Sequence, residues 1–403
     1  MRLPILVSLM LLVASPSMAA DARWMASWGA SPAPPMAAAP GVEARRISPT
    51  FANQTIVQTL RLSAGGQRLR VRFTNEYGAK TLVIGAARVA LLTPEGGVIP
   101  GSERVVTFSR AGATTVPAGA PSFSDPINLT TGNLARLRVS LFLPEETGLC
   151  TCHMTGGDLV QVSPPGDWTA RDLPPASGPA QYRAFVSGVE VETKSPATVI
   201  VALGDSITDG YLATPGANRR WPDRLAERLV ARYPNRSIGV INAGIGGNRM
   251  LSDGIVAVMG QSALTRFDRD VLSVTGATHL IVLEGVNDLG IRTGRPTAQA
   301  LIHGYRQMIE RAHAQGIKAI GVTILPYEGA AYFTPEGEES RLAVNDWIRK
   351  SGVFDAVIDL DAAIRDPAKP ARMRSDWHAG DWLHPNDAGY RAMGDAVDLT
   401  LFR

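Results

Sequence analysis

The stretch Ala197-Thr198-Val199-Ile200-Val201-Ala202-Leu203-Gly204-Asp205-Ser206-Ile207-Thr208-Asp209-Gly210 decides the fold. From Ala197 to Leu203 the run is almost continuously apolar, as in a strand buried on both faces, and such strands belong to parallel sheets. Gly204 to Gly210 then turns the chain out of the strand and leaves Ser206 at its tip. Working outward, Trp221 to Tyr233 has helical spacing with Pro222 in the first turn. Ile238 to Ala243 reads as a second strand and His279 to Leu283 as a third. Ala298 to Gln315 reads as a helix stopped by Gly316. Ala319 to Leu325 is a fourth strand, Glu336 to Ser351 a helix, Ala356 to Leu360 a fifth strand, and Pro385 to Leu401 the closing helix. Strands alternating with helices predict a parallel sheet covered on both faces. Ligands of such sheets bind outside the carboxyl ends of the strands.

Toward the N-terminus the period changes to two. Leu69-Arg70-Val71-Arg72-Phe73 and Leu137-Arg138-Val139-Ser140-Leu141 alternate strictly, and Ile56 to Leu62 does so approximately. Gly65-Gly66, Gly96-Gly97 and Pro117 to Pro121 punctuate them. Strands without intervening helices predict an all-β, jelly-roll-like sandwich. A Pro/Gly-rich stretch from Pro164 to Pro179 precedes a strand-like run from Tyr182 to Val191. Thr193 to Pro196 reads as a linker. The expected domains are therefore residues 24–192 and 197–403.

The first residues read as an export leader, with Met1-Arg2 as positive start, an apolar Leu3 to Val13, and Ser17-Met18-Ala19 for cleavage. A signal peptide over 1–19 implies a secreted or periplasmic protein, with no membrane attachment after cleavage. The apolar run is shorter than the about 20 helical residues that span a bilayer. Basic and acidic residues number 40 and 37, without a clustered basic patch, which argues against a nucleic-acid partner. The only cysteines, Cys150 and Cys152, flank Thr151 and precede His153. They read as a local disulfide or two free thiols. A metal site is the less favoured alternative, because two such close thiols need ligands from elsewhere and the chain has six histidines.

Four segments carry candidate chemistry. Gly204-Asp205-Ser206 ends the first strand. Asn242 to Asn248, with Gly244, Gly246 and Gly247, ends the second and allows a backbone N–H to approach a substrate oxygen. Glu284-Gly285-Val286-Asn287-Asp288 ends the third, where an Asn can aim an N–H at an oxyanion. Asp381-Trp382-Leu383-His384 lies in the final loop, and this spacing can set a carboxylate against an imidazole whose other nitrogen faces a serine. Each alone also reads as a turn. Together they converge on one edge of the sheet.

On these segments the chain resembles the SGNH hydrolase superfamily, the GDSL esterases and lipases. Gly204-Asp205-Ser206-Ile207, Gly285-Val286-Asn287-Asp288 and Asp381-Trp382-Leu383-His384 match three of its blocks in order. The second-block glycine corresponds to Gly247, with Gly246 as the neighbouring alternative. The resemblance covers residues 197–403 and implies a five-stranded flavodoxin-like sheet. With Asn218 to Asp223 and His384 to Tyr390, it points to a secreted bacterial branch carrying an N-terminal β-domain. It implies a Ser206, His384 and Asp381 triad, an oxyanion hole from Ser206, Gly247 and Asn287, and neither cofactor nor metal. The expected substrate is a small-molecule or polysaccharide ester, with short acyl groups favoured because no hydrophobic lid is evident, and the expected state is a monomer. The competing readings are a secreted O-acyltransferase using the same site and a carbohydrate-binding protein with an inactive hydrolase domain. Trp24, Trp28, Tyr77 and Trp168 read mainly as core or interface rather than as a glycan platform.

Overall fold

The structure is a computed structural model that describes residues 22–403 apart from 158, 173–179, 195, 292 and 293. The leader read at 1–19 lies outside the described residues. The C-terminal half is built on five parallel strands, Ala197–Gly204, Ser237–Gly244, Ala277–Leu283, Lys318–Val322 and Ala356–Ile358. Their spatial order is second, first, third, fourth, fifth. This is the flavodoxin-like order, and its switch point lies beside the first strand. Gly204 pairs in register with Gly244 on one side and Leu283 on the other, so three carboxyl ends finish level. Helices Trp221–Arg232, Ala298–Ala314, Pro335–Lys350 and Asp387–Ala396 cover the sheet. The first strand is buried along its length except at Ala197, as its apolar run predicts.

Three elements are shorter than their sequence patterns, the fifth strand among them, which ends at Ile358 because Asp359 caps a short helix, Leu360–Ile364. The fourth strand ends at Val322 because Ile324 gives its backbone to Asn345, whose amide accepts from its N–H at 2.7 Å and donates to its carbonyl at 2.8 Å. The closing helix runs only from Asp387 to Ala396. Asn386 caps its start, and an extended Val397 separates it from a short turn, Leu399–Phe402, capped by Asp398.

The N-terminal half is all-β. One antiparallel sheet orders Arg23–Gly29, Val186–Thr193, Arg68–Thr74 and Pro121–Phe123. A larger one orders Ala180–Gln181, Leu159–Pro165, Gln54–Arg61, Arg136–Leu143, Ala86–Leu92 and Arg104–Val105, and two further sheets have two strands each. The alternation reads through: Leu69, Val71, Phe73, Leu137, Val139 and Leu141 are buried, while Arg68 and Arg70 pair across the strand with Glu192 and Glu190. The run from Tyr182 to Val191 is not one strand. Phe185 has φ +57°, and this break turns Arg183–Ala184 toward Cys152–His153 before the long strand begins at Val186.

The two halves share an extended contact. Strand Arg23–Gly29 lies against Ser237–Gly244, the edge strand of the parallel sheet. Val240 N–H donates to Ser63 Oγ at 2.8 Å and Ala26 N–H to Thr275 O at 2.9 Å. The β region thereby covers a sheet edge that would otherwise expose backbone groups. Tyr77 belongs to this contact, donating to Gln261 at 2.8 Å and accepting from Arg269 at 2.5 Å.

Candidate active site

Ser206 opens a one-turn helix, Ser206–Asp209, at the tip of the first strand. Asp205 caps that helix by accepting the Ile207 N–H at 2.8 Å. Ser206 Oγ lies 2.8 Å from His384 Nε2, and His384 Nδ1 lies 2.6 Å from Asp381 Oδ2. Asp381 Oδ1 also accepts the backbone N–H groups of Leu383 and His384 at 3.0 and 2.9 Å. Partial burial pushes the Asp381 carboxyl up, but the His384 ring and these N–H groups outweigh it and hold it well below the usual range. An ionised Asp381 accepts a hydrogen bond from Nδ1–H, which leaves Nε2 to accept from the Ser206 hydroxyl.

The loop around His384 is fixed from several sides. His384 O accepts from Ala379 N–H at 2.9 Å, and Asn386 N–H donates to Trp377 O at 2.8 Å. Trp382 takes φ +59° to make the turn between Asp381 and His384, and its ring stacks on His378 at 3.9 Å. The Tyr211 ring meets the His384 ring edge-on at 4.8 Å.

Asn287 follows the third strand. Its amide donates to Asn248 O at 2.8 Å, and its carbonyl accepts from the Tyr332 hydroxyl at 3.2 Å. Those two bonds fix the amide plane. Its second N–H has no protein partner among the described residues. Of the two glycines weighed from sequence, Gly246 donates its N–H to Thr155 Oγ1 at 2.9 Å and Asp209 Oδ2 at 3.1 Å. The Gly247 N–H has no protein partner among the described residues. Gly247 itself has φ +76°, and a Cβ there would stand 2.7 Å from Met259 Sδ, so both backbone and space require glycine.

Beneath these groups lies a buried ionic layer that the sequence reading did not identify. The fully buried Arg266 donates to the carbonyls of Gly204 and Ala243, tying two strand ends together, and to Asn248 Oδ1 and Asp270. Burial pushes Asp205 up to about 7 and Asp288 up to about 6. Burial, with Asp205 adding to it, pushes Glu284 well above the usual range. Burial and nearby carboxylates also raise the Tyr332 phenol, which therefore stays protonated as a donor to Asn287.

The three raised carboxyls give a test. They bind protons more tightly folded than unfolded, so their favourable contribution is complete below about pH 4, and the parts from Asp288 and Asp205 are lost as pH rises through about 6 and about 7. Asp270, with its carboxyl held down to about 2, acts in the opposite sense only at lower pH. His279, pushed down to about 4 by burial, opposes them below its ordinary value with a single proton. Asp205→Asn should therefore flatten the fall in unfolding free energy between pH 5 and 8. One proton is worth about 1.4 kcal/mol per pH unit at the steepest point. Parallel urea-denaturation profiles for variant and wild type would contradict the raised Asp205.

Among the described residues no group of three or more His, Cys, Asp and Glu is arranged to hold a metal. Cys150 and Cys152 are bonded to each other, so the pair takes the disulfide form of the two readings left open. No described helix is long and apolar enough to cross a membrane. Sequence reasoning missed Tyr332, Asn248 and Arg266, which act through Asn287 and the strand ends. It weighed His153 only as part of a disfavoured metal site. Only Asp209, three residues after Ser206, carried a local signal.

The GDSL-like lipase/acylhydrolase family model matches residues 202–392. No curated protein matches the chain. Solved structures similar to part of the chain include a lipase/acylhydrolase from Enterococcus faecalis, 21% identical, covering 49% of this chain and 92% of its own, with a TM-score of 0.39. A GDSL-like lipase from Bacteroides thetaiotaomicron is 20% identical over 49% of this chain and 84% of its own, with a TM-score of 0.34. A carbohydrate acetylesterase from Sinorhizobium meliloti is 15% identical over 49% of this chain and 95% of its own, with a TM-score of 0.39.

Proposed function

From the premise that the C-terminal half of this chain belongs to the GDSL-like lipase/acylhydrolase family, we propose that it hydrolyses carboxylic esters with Ser206 as nucleophile. The observation that carries the reading is the unbroken hydrogen-bond chain from Ser206 Oγ through His384 to Asp381, with links of 2.8 and 2.6 Å. Ser206 Oγ attacks the ester carbonyl while His384 Nε2 takes its proton. The oxyanion is held by the N–H groups of Ser206 and Gly247 and the second N–H of Asn287. The tetrahedral intermediate collapses and His384 returns the proton to the leaving alcohol. Water, deprotonated by His384, then releases the acid from the acyl-enzyme. Asp381 holds the imidazole in the productive tautomer and stabilises its charged form.

The acyl group is short, with acetyl as first candidate. Ser206 is 5% and His384 9% exposed, so the nucleophile opens on little surface. The alcohol is a small molecule or a polysaccharide hydroxyl. Export fits the leader-like N-terminus and the Cys150–Cys152 disulfide, since such bonds persist in oxidising compartments.

A fluorophosphonate probe should label Ser206, p-nitrophenyl acetate should turn over faster than the octanoate ester, and acetylated xylan should release acetate. A wild-type protein left unlabelled at Ser206 would remove the mechanism. Preference for the octanoate would overturn the acyl assignment. Acyl transfer to a sugar acceptor in place of acetate release would replace hydrolysis with the transferase reading.

A further inference from the structure

The N-terminal β region reaches the helix that begins at Ser206 through His153 and Thr155. His153 sits in the short strand Cys152–His153, directly after the disulfide, and is buried. Its Nδ1 lies 2.8 Å from Ser31 O, within the β region, and its Nε2 lies 2.8 Å from Asp209 Oδ1, across the boundary. Asp209 is the last residue of the one-turn helix that begins at Ser206, and it is 1% exposed. Its other oxygen accepts from the Thr155 hydroxyl and from the Gly246 N–H. Thr155 Oγ1 accepts from the same N–H at 2.9 Å. The packing is close: a Cβ on Gly246 would stand 2.8 Å from Thr155 Cβ, and one on Gly156 would stand 2.8 Å from His153 Nε2.

We infer that His153 is a positioning residue for ester cleavage, through which the β region sets the nucleophile helix and the Gly246-Gly247 turn relative to each other. The inference rests on the function proposed above. The physical argument is the sharing of one carboxylate. Asp209 is covalently part of the Ser206 helix and hydrogen-bonded to the turn that presents the Gly247 N–H. Its orientation therefore fixes the spacing between nucleophile and oxyanion donor. The orientation itself is set by His153 and Thr155, which come from the other half of the chain. A buried carboxylate that loses its imidazole partner turns to find another donor, and the turn it holds moves with it. The β region thereby acts as a template for the site rather than as an attached module. Rate is sensitive to such placement because an oxyanion donor is effective only within hydrogen-bond distance of the developing charge.

The test uses the full chain, with turnover counted per Ser206 labelled to completion by fluorophosphonate. Normalising in this way removes any loss that comes only from a smaller folded fraction. His153→Ala should lower kcat on p-nitrophenyl acetate per labelled site by about 10- to 100-fold, the range that lost positioning partners produce, with KM little changed. His153→Gln, which keeps an N–H toward Asp209, should recover part of that loss. Thr155→Val should give a smaller loss of the same kind while leaving the His153–Asp209 contact in place. It decides the matter if His153→Ala does not fold. Unchanged kcat per labelled site in the variants, or a change confined to KM, would overturn the inference alone. A wild type that does not label at Ser206 would overturn the proposed function and this inference with it.

Discussion

Ser206→Ala should abolish ester hydrolysis, with kcat falling by about 10⁶-fold, the scale at which a covalent route is lost. The fold should survive. The side chain contributes one hydrogen bond, to His384, and such a bond is worth on the order of 1 kcal/mol. Alanine is also well suited to the first turn of the helix that begins at this position. The measurement is initial-rate hydrolysis of p-nitrophenyl acetate by protein whose unfolding midpoint matches wild type. His384 and Asp381 would remain hydrogen-bonded at 2.6 Å and could still activate water, so a weak background is expected. A variant that keeps a hundredth of the wild-type rate would show that Ser206 is not the nucleophile.

Asn287→Ala should lower kcat by about 10²- to 10³-fold, the cost of one oxyanion donor, and leave KM nearly unchanged. The split follows from when the bond is made. In the resting site the Asn287 amide is held by Asn248 O and the Tyr332 hydroxyl, so its remaining N–H is already aimed before charge develops. Such an interaction strengthens in the transition state and appears in kcat. The same truncation leaves the Tyr332 hydroxyl and Asn248 carbonyl without this partner, so a stability loss of about 1–3 kcal/mol should accompany it. Full kinetics on a short acyl ester, with thermal unfolding of the same preparation, separate the two effects. An effect confined to KM would assign Asn287 to ground-state binding.

The four candidate segments, three at strand ends and one in the final loop, were legible because each is short and local. Asp381 and His384 stand three apart and meet across one turn of chain, and Gly204 to Ser206 follows directly from the strand it ends. The groups that hold them were not legible, because their partners are far away in sequence. Arg266 joins the carbonyls of Gly204 and Ala243, and Tyr332 reaches Asn287 from a loop after the fourth strand. His153 and Asp209 lie 56 positions apart, on either side of the boundary between the two halves. Nothing periodic marks such residues, and each is unremarkable among its neighbours in the chain.

By itself the sequence determined the two periods. They separate an all-β half from an α/β half, set the order of strands and helices, and bring Ser206, Gly247, Asn287 and the Asp381–His384 pair to one edge of the sheet. That much follows from burial, which acts on each segment locally through its apolar pattern. Only the tertiary structure decided which glycine N–H lacks a partner among the described residues, which groups turn the Asn287 amide, and how the β half meets the helix that begins at Ser206. Those outcomes depend on hydrogen-bond partners brought together by packing, within the α/β half for Asn287 and between the two halves for Gly246 and Asp209. A hydrogen bond is satisfied in three dimensions, whatever the distance along the chain.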